Sequence, residues 1–398
     1  MTIKDGRTTI GRRHLIGSMA AAGLAAPALL RPRRLLASGT VEIGAVLPLT
    51  GAWQVFGQQA RLGIDFATTE INQAGGILGQ TISIDYQDDA SDPQNSAAAA
   101  ESLVARSGVV AVTGPISSAS RDALADAMTQ SHTPLLYATD YEGGACNDVF
   151  FFFNSVPNQS AEPLMRYAVG EIADTVFMLG ADYVWPRRMF ETSAQTVEAA
   201  GGQVIDQRFV PVAGLSDYGA IIGAIRSSGA GLLVLALPGA QHLAFVNQAY
   251  EEGLLSQVTV CNLGGIATYF HPDDTDAAAA AYGCEPFIET DPSAPAQAFV
   301  SGIRQNAGAD TVVTSYAMTH YNAMHALKSA LERSGEISRE AAVAGLAGLE
   351  YQTPTGPSQI DADTHHSTLS MFIAHTGSST LEIVEPLGAI APQPGCAV

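Results

Sequence analysis

Val41-Glu42-Ile43-Gly44-Ala45-Val46-Leu47-Pro48-Leu49 is a continuous apolar run, followed by an amphipathic segment over 58–74 that closes on Gly75-Gly76. A second apolar run spans 81–86. Short continuous apolar runs separated by helical patterns predict strands buried on both faces of a parallel sheet. Working outward, the pattern continues as helix 97–106, strand 109–114, helix 121–131 and strand 134–139. After 150–154 a second series begins, with helices over 160–172, 189–200, 218–228 and 240–252. Its strands fall at 175–179, 203–210, 232–237 and 258–262. Two series of one rhythm predict an α/β chain of two doubly wound parallel-sheet lobes facing across a cleft.

The tail adds helical patterns at 295–307, 316–334 and 338–347, then short strand-like runs at 358–361, 370–374 and 381–384. The economical solution returns the helices to the first lobe and the strands to the second. Residues 38–155 plus 288–352 then make lobe I, and 156–287 plus 353–398 make lobe II. Three crossings, near 155, 288 and 352, form the hinge.

The first 37 residues read differently. Gly11-Arg12-Arg13-His14-Leu15-Ile16-Gly17 precedes an Ala/Gly-rich apolar run from Ser18 to Leu30. Paired arginines before a weakly hydrophobic segment look like a twin-arginine export signal ending near Leu36-Ala37-Ser38-Gly39. The run is too short and too rich in alanine to favour a membrane span. The first cysteine is Cys146, so no lipid anchor is expected beside the signal, and the expectation is a periplasmic protein that is not membrane-embedded.

Nearly half of the 398 residues are hydrophobic and 15% are charged, so a substantial core is easily built. Removal of 1–37 takes seven basic residues and one acidic one, leaving 12 basic and 38 acidic and a formal charge of −26. Such a field disfavours nucleic acid and anionic membranes as partners, and it concentrates cations. Four cysteines in an oxidising compartment allow two disulfides. Cys261 and Cys284, in consecutive strand-like runs, are the expected pair. Cys146 with Cys396 would pin the tail to a loop, and buried free thiols are a further reading.

Candidate binding residues collect where strands hand over to helices. They lie in Ser117-Ser118-Ala119-Ser120-Arg121, in Leu136-Tyr137-Ala138-Thr139-Asp140-Tyr141-Glu142-Gly143 and in Gly180-Ala181-Asp182-Tyr183-Val184-Trp185-Pro186-Arg187. In open α/β sheets that edge is where small ligands bind. No dinucleotide, haem or metal motif accompanies them, and no cofactor is expected. Lys328, the lone lysine after 1–37, sits in mid-helix, so a Ser–Lys or Cys–Glu–Lys hydrolase arrangement is not credible and no enzyme is expected.

Pro48-Leu49-Thr50-Gly51 with Phe56-Gly57 resembles the opening turn of type I periplasmic binding proteins. Asn158-Gln159, Tyr141-Glu142-Gly143, Asp182–Arg187, Thr355-Gly356-Pro357 and His365-His366 are similar to the branch of receptors for urea and short-chain amides. The resemblance runs from about Val41 to Pro394. It implies the receptor of an ABC importer, with a permease as partner, binding a small ligand between closing lobes. A ligand sensor without transport shares the fold and is the other class it allows.

By the same resemblance Ser118 and Thr139 hold a ligand's carbonyl oxygen, Tyr183 reaches in from the opposing lobe, and Tyr137 and Trp185 are aromatic walls. Ile116 stands where relatives often carry an aromatic. Hydroxyls restore the hydrogen bonds that a small amide loses on desolvation, while rings exclude water. Each position has a plainer reading. Ser117 is a helix N-cap, Tyr137 is core, Trp185-Pro186 is a packing turn, Trp53 lines either cleft or rim, and His365-His366 lie in an exposed turn. Two departures bear on the ligand. Asp140 replaces a neutral residue beside Thr139, where it either faces a donor-rich or cationic ligand, such as guanidine or an amine, or caps a local turn. Glu285 falls near the second lobe's cleft edge. Asn262-Leu263-Gly264-Gly265-Ile266 lacks the acid that amino-acid-binding relatives use for the α-amino group.

Overall fold

The computed structural model describes Thr2 and residues 39–106, 108–269, 281–376 and 381–398. The expected export signal lies outside the described residues. The first lobe runs β1 (Thr40–Leu47), α1 (Gln54–Gln73), β2 (Thr81–Asp88), α2 (Pro93–Val104), β3 (Val109–Thr113), α3 (Ser118–Gln130), β4 (Leu135–Tyr137) and β5 (Phe150–Phe152). Its strands are all parallel, in the order β2-β1-β3-β4-β5. Along β1, Ile43, Ala45 and Leu47 enter one hydrophobic cluster and Val46 enters the cluster on the opposite face. That two-sided burial explains the unbroken apolar run. In α1, Phe56, Ala60, Ile64, Ala67 and Ile71 recur every three or four residues and turn one stripe into the core.

The second lobe comprises α4 (Ala161–Glu171), β6 (Thr175–Ala181), α5 (Val184–Ala199), β7 (Gln203–Val210), α6 (Gly219–Ser228), β8 (Leu232–Ala236), α7 (Gly239–Glu251), β9 (Thr259–Asn262) and β10 (Ala281–Glu285). Its parallel strands follow β7-β6-β8-β9-β10, the same winding as in the first lobe. Helices α8 (Ala294–Ala307), α9 (Ser315–Ser334) and α10 (Arg339–Leu346) come next. They pack on the first lobe, with α9 against α1. The hairpin β11 (Glu350–Thr353) and β12 (Gly356–Gln359) follows, and β13 (Leu369–Thr376) and β14 (Leu381–Ile390) extend the second sheet antiparallel.

Tyr351 and Ile360 join the first lobe's cluster. The hairpin therefore stays with the first lobe, and the third crossing falls between Ile360 and Leu369 rather than at 352. The crossings are bound to one another. Phe152 bridges His366, and the Gln159 Nε2 amide donates to the carbonyls of Ser367 (3.0 Å) and Ile390 (2.9 Å).

Two further expectations need correction. Cys146 is bonded to Cys396, whereas Cys261 and Cys284 are buried free thiols. Parallel register sets Cys261 opposite Tyr282, so Cys284 lies two residues beyond it. His365 and His366 are buried rather than in an exposed turn. Their rings stack on Phe151 and Phe152 at 4.4 and 4.0 Å, and His366 Nε2 lies 2.6 Å from the Tyr141 hydroxyl.

Candidate functional site

The order β2-β1-β3-β4-β5 reverses direction between β1 and β3, and β7-β6-β8-β9-β10 reverses between β6 and β8. A crevice opens at the carboxyl ends of strands at such switch points. Both crevices face one cleft. Trp53 follows β1; Ile116, Ser117 and Ser118 follow β3; Thr139 and Asp140 follow β4. From the other lobe Tyr183 and Trp185 follow β6, Leu237 and Pro238 follow β8, and Gly264 follows β9. Phe56 of α1 and Tyr316 of α9 complete the lining of a void of about 440 Å³, its mouth included.

Local structure fixes each side chain. Gly114 ends β3 at φ 93°, and a Cβ there would lie 2.0 Å from the Val46 carbonyl oxygen, so only glycine lets the chain turn toward Ser118. Ser117 is the N-cap of α3, accepting from the Ser120 amide at 3.0 Å. The Ser118 hydroxyl donates to Glu142 Oε2 at 2.7 Å, and the Thr139 hydroxyl points to the Pro115 carbonyl at 3.4 Å. Gly264 leaves room for Trp185, whose Cη2 lies 3.3 Å from where a Cβ would stand. Among the described residues the buried Trp185 Nε1 has no hydrogen-bond partner. Trp53 meets Tyr183 edge-on across the lobes at 6.1 Å, Tyr183 stacks with Trp185 at 6.4 Å, and Phe56 meets Tyr316 at 4.9 Å.

The Asp140 carboxylate turns to α9, where Oδ1 accepts from the Tyr316 hydroxyl at 2.6 Å. Burial raises its pKa to about 6, against the lowering by that hydrogen bond. Asp140 and Tyr316 also line a rear chamber of about 240 Å³ that contains Glu285. Glu285 accepts from the Ser315 hydroxyl at 2.6 Å and from the Ala267 amide at 3.4 Å. Burial pushes its pKa up to about 7, and the Asp140 charge adds to the rise.

Seven of the eight sequence-predicted residues thus meet at one cleft. Tyr137 does not: strand alternation turns it, with Leu135, into the opposite cluster, where its hydroxyl donates to the Ile116 carbonyl at 2.9 Å. It supports the wall from behind. Phe56, Leu237, Pro238, Gly264 and Tyr316 were missed. Leu237-Pro238 was within reach, because it ends an apolar strand at the same edge. Tyr316 carries no local signal.

Two lobes of matched winding, with a small aromatic cleft between their strand ends, define a solute-binding receptor. The chain belongs to the periplasmic binding protein family, whose model matches residues 40–380. It is 25% identical to the Leu/Ile/Val-binding protein BraC3 of Rhizobium johnstonii over 327 residues, covering 80% of this chain and 86% of that one. Its fold is similar to the solute-binding protein of an ABC transporter from Rhodopseudomonas palustris BisB5, solved with 3,4-dihydroxybenzoic acid. The TM-score is 0.77 and the identity 20%, over 88% of this chain and 97% of that one. It is equally similar to the branched-chain amino acid transporter substrate-binding protein LivJ of Streptococcus pneumoniae, solved with isoleucine. Here the TM-score is 0.78 and the identity 20%, over 88% and 99% of the two chains. These relatives are receptors, not enzymes. Among the described residues no helix is long and apolar enough to cross a membrane.

Proposed function

We propose that this protein is the receptor of an ABC importer for a small, donor-rich nitrogen compound of the urea or short-chain amide class, captured as the lobes close. The observation that carries this reading is the lining itself. Asp140 is the only formally charged group among the described residues of the cleft wall, and no Lys, Arg or His joins it there. Hydroxyl and carboxylate oxygens therefore await N–H donors, and the rings supply a dry surround. The relatives named above were solved with, or are named for, amino acids and an aromatic acid. Their carboxylates find no cationic side chain here.

A second reading, a small cationic ligand such as guanidine or an amine, is favoured by the same carboxylate beside five aromatic rings, an arrangement that attracts cations. A thermal-shift and calorimetric panel of urea, acetamide, guanidine, tetramethylammonium, isoleucine and 4-hydroxybenzoate decides the matter, since binding stabilises the fold by mass action. Binding confined to isoleucine or 4-hydroxybenzoate would overturn both readings. Export through the twin-arginine signal belongs to the same proposal. Arg12→Lys with Arg13→Lys is expected to hold the protein in the cytoplasm, as fractionation would show.

A further inference from the structure

We infer that Glu142 is a positioning residue that sets the hydrogen-bonding polarity of the cleft: by taking the Ser118 hydroxyl proton it leaves Ser118 facing the ligand as an acceptor only, so the site selects N–H groups over carboxylates. The inference rests on the receptor reading above and narrows the ligand within it.

Ser118 is 3% exposed, and its oxygen lies 2.7 Å from Glu142 Oε2. A hydroxyl has one proton and two lone pairs, while a carboxylate can only accept. The proton therefore points at Glu142, in a charge-assisted bond of the short, strong kind. Glu142 is held in place from behind. Its side chain is 7% exposed, and Oε1 lies 3.6 Å from an Arg121 terminal nitrogen. Arg121 is itself buried, laid over the Tyr141 ring at 4.7 Å and bonded to Asp122 at 2.8 Å. Were the carboxylate to swing away, the buried guanidinium would lose its buried acidic neighbour and keep only the exposed Asp122.

Thr139, beside it on the wall, also turns its proton to a backbone carbonyl, so neither hydroxyl donates to a ligand's carbonyl oxygen as the resemblance implies. Asp140 adds a third acceptor on the same side. A carboxylate placed against Ser118 would meet lone pairs with no proton to receive, and an unmade hydrogen bond in a dry site is expensive. An amide NH₂ or a urea nitrogen in the same place would donate to them. The amino ends of α5 and α7 also reach the cleft and attract anions, as does that of α3. The Glu142 charge just behind that of α3 works in the opposite direction.

Isosteric pairs test this: propionamide against propionate, and benzamide against benzoate, measured by calorimetry. Wild-type protein is expected to prefer each amide by about tenfold or more, the worth of a single hydrogen bond. Glu142→Gln, whose amide can donate to Ser118 and turn its proton toward the cleft, is expected to lower that preference by raising affinity for the acid. Glu142→Asp should keep the preference. Should Glu142→Gln fail to fold, Ser118→Ala gives the same reading, because removing the hydroxyl must also lower the amide preference. A wild-type preference that persists in Glu142→Gln, with both partners of each pair weakened equally, makes Glu142 merely structural and overturns this inference alone. Wild-type protein that binds propionate as tightly as propionamide overturns the ligand reading with it.

Discussion

Glu285 is a buried carboxylate and Asp140 a partly buried one, and both pair with hydroxyls rather than with cations. Both are easier to protonate in the folded chain than in the unfolded one. A raised pKa means that the folded state holds the proton more tightly, so stability falls as pH rises. For Glu285 the contribution is complete below its ordinary value of 4.5 and is lost as pH passes about 7. The loss is on the order of 3 kcal/mol. Glu285→Gln should therefore melt higher than wild type at pH 8, with the gap closing toward pH 5. A gap of one size at both pH values would rule this account out. Asp140 has its window near pH 6 and faces the ligand. Guanidine affinity is expected to rise from pH 5 to 8 and to drop in Asp140→Asn, while acetamide changes little; calorimetry at both pH values checks this. Asp140 and Thr139 were legible in the sequence because they stand just past an apolar run, where a parallel sheet presents its edge. The role of Glu142 was not, because the bond to Ser118 spans two loops that only the fold brings together.

At the scale of elements, the contact between α1 and α9 decides how Ser315 and Tyr316 reach the two carboxylates. Gly63 sits in that contact, and a Cβ there would stand 1.9 Å from the Ala317 carbonyl oxygen, a backbone atom that cannot step aside cheaply. Alanine gains about 1 kcal/mol of helix propensity over glycine. Overpacking against backbone outweighs that, costing roughly 1–3 kcal/mol or more. Gly63→Ala is thus expected to lower the midpoint of urea unfolding and to weaken ligand binding, because the displaced residue adjoins Tyr316. An unchanged midpoint would show that the helices part freely. The alternation of apolar runs and amphipathic segments made both sheets and the return of α8–α10 to the first lobe readable in advance. The hairpin β11–β12 was not, since its loyalty is decided by Tyr351 and Ile360 packing on residues distant in sequence. Tyr137 was misplaced for a local reason: three residues of strand leave the choice of face to the pleat, and one step reverses it.

At the scale of the whole molecule, the carboxyl-terminal tail crosses between lobes after β14 and is tied down at both ends. Asn158 Nδ2 donates to the Ala391 carbonyl at 2.9 Å, the Gly144 amide donates to the Pro394 carbonyl at 2.8 Å, and Cys396 is bonded to Cys146 in the loop before β5. A covalent link between residues 250 positions apart closes most of the chain into one loop. It restricts the unfolded state more than any link inside one lobe would. Removing it by Cys146→Ser with Cys396→Ser should cost roughly 2–5 kcal/mol, read as a lower Tm, and should open the tail to proteolysis. The second cysteine pair provides the control, because Cys261 and Cys284 are buried thiols that cross-link nothing. Thiol titration of the denatured, unreduced protein is expected to find two free thiols of four, and a non-reducing peptide map should join the peptides of Cys146 and Cys396. Four free thiols, or a double serine variant that melts with the wild type, would mean that hydrogen bonds alone hold the tail across the hinge.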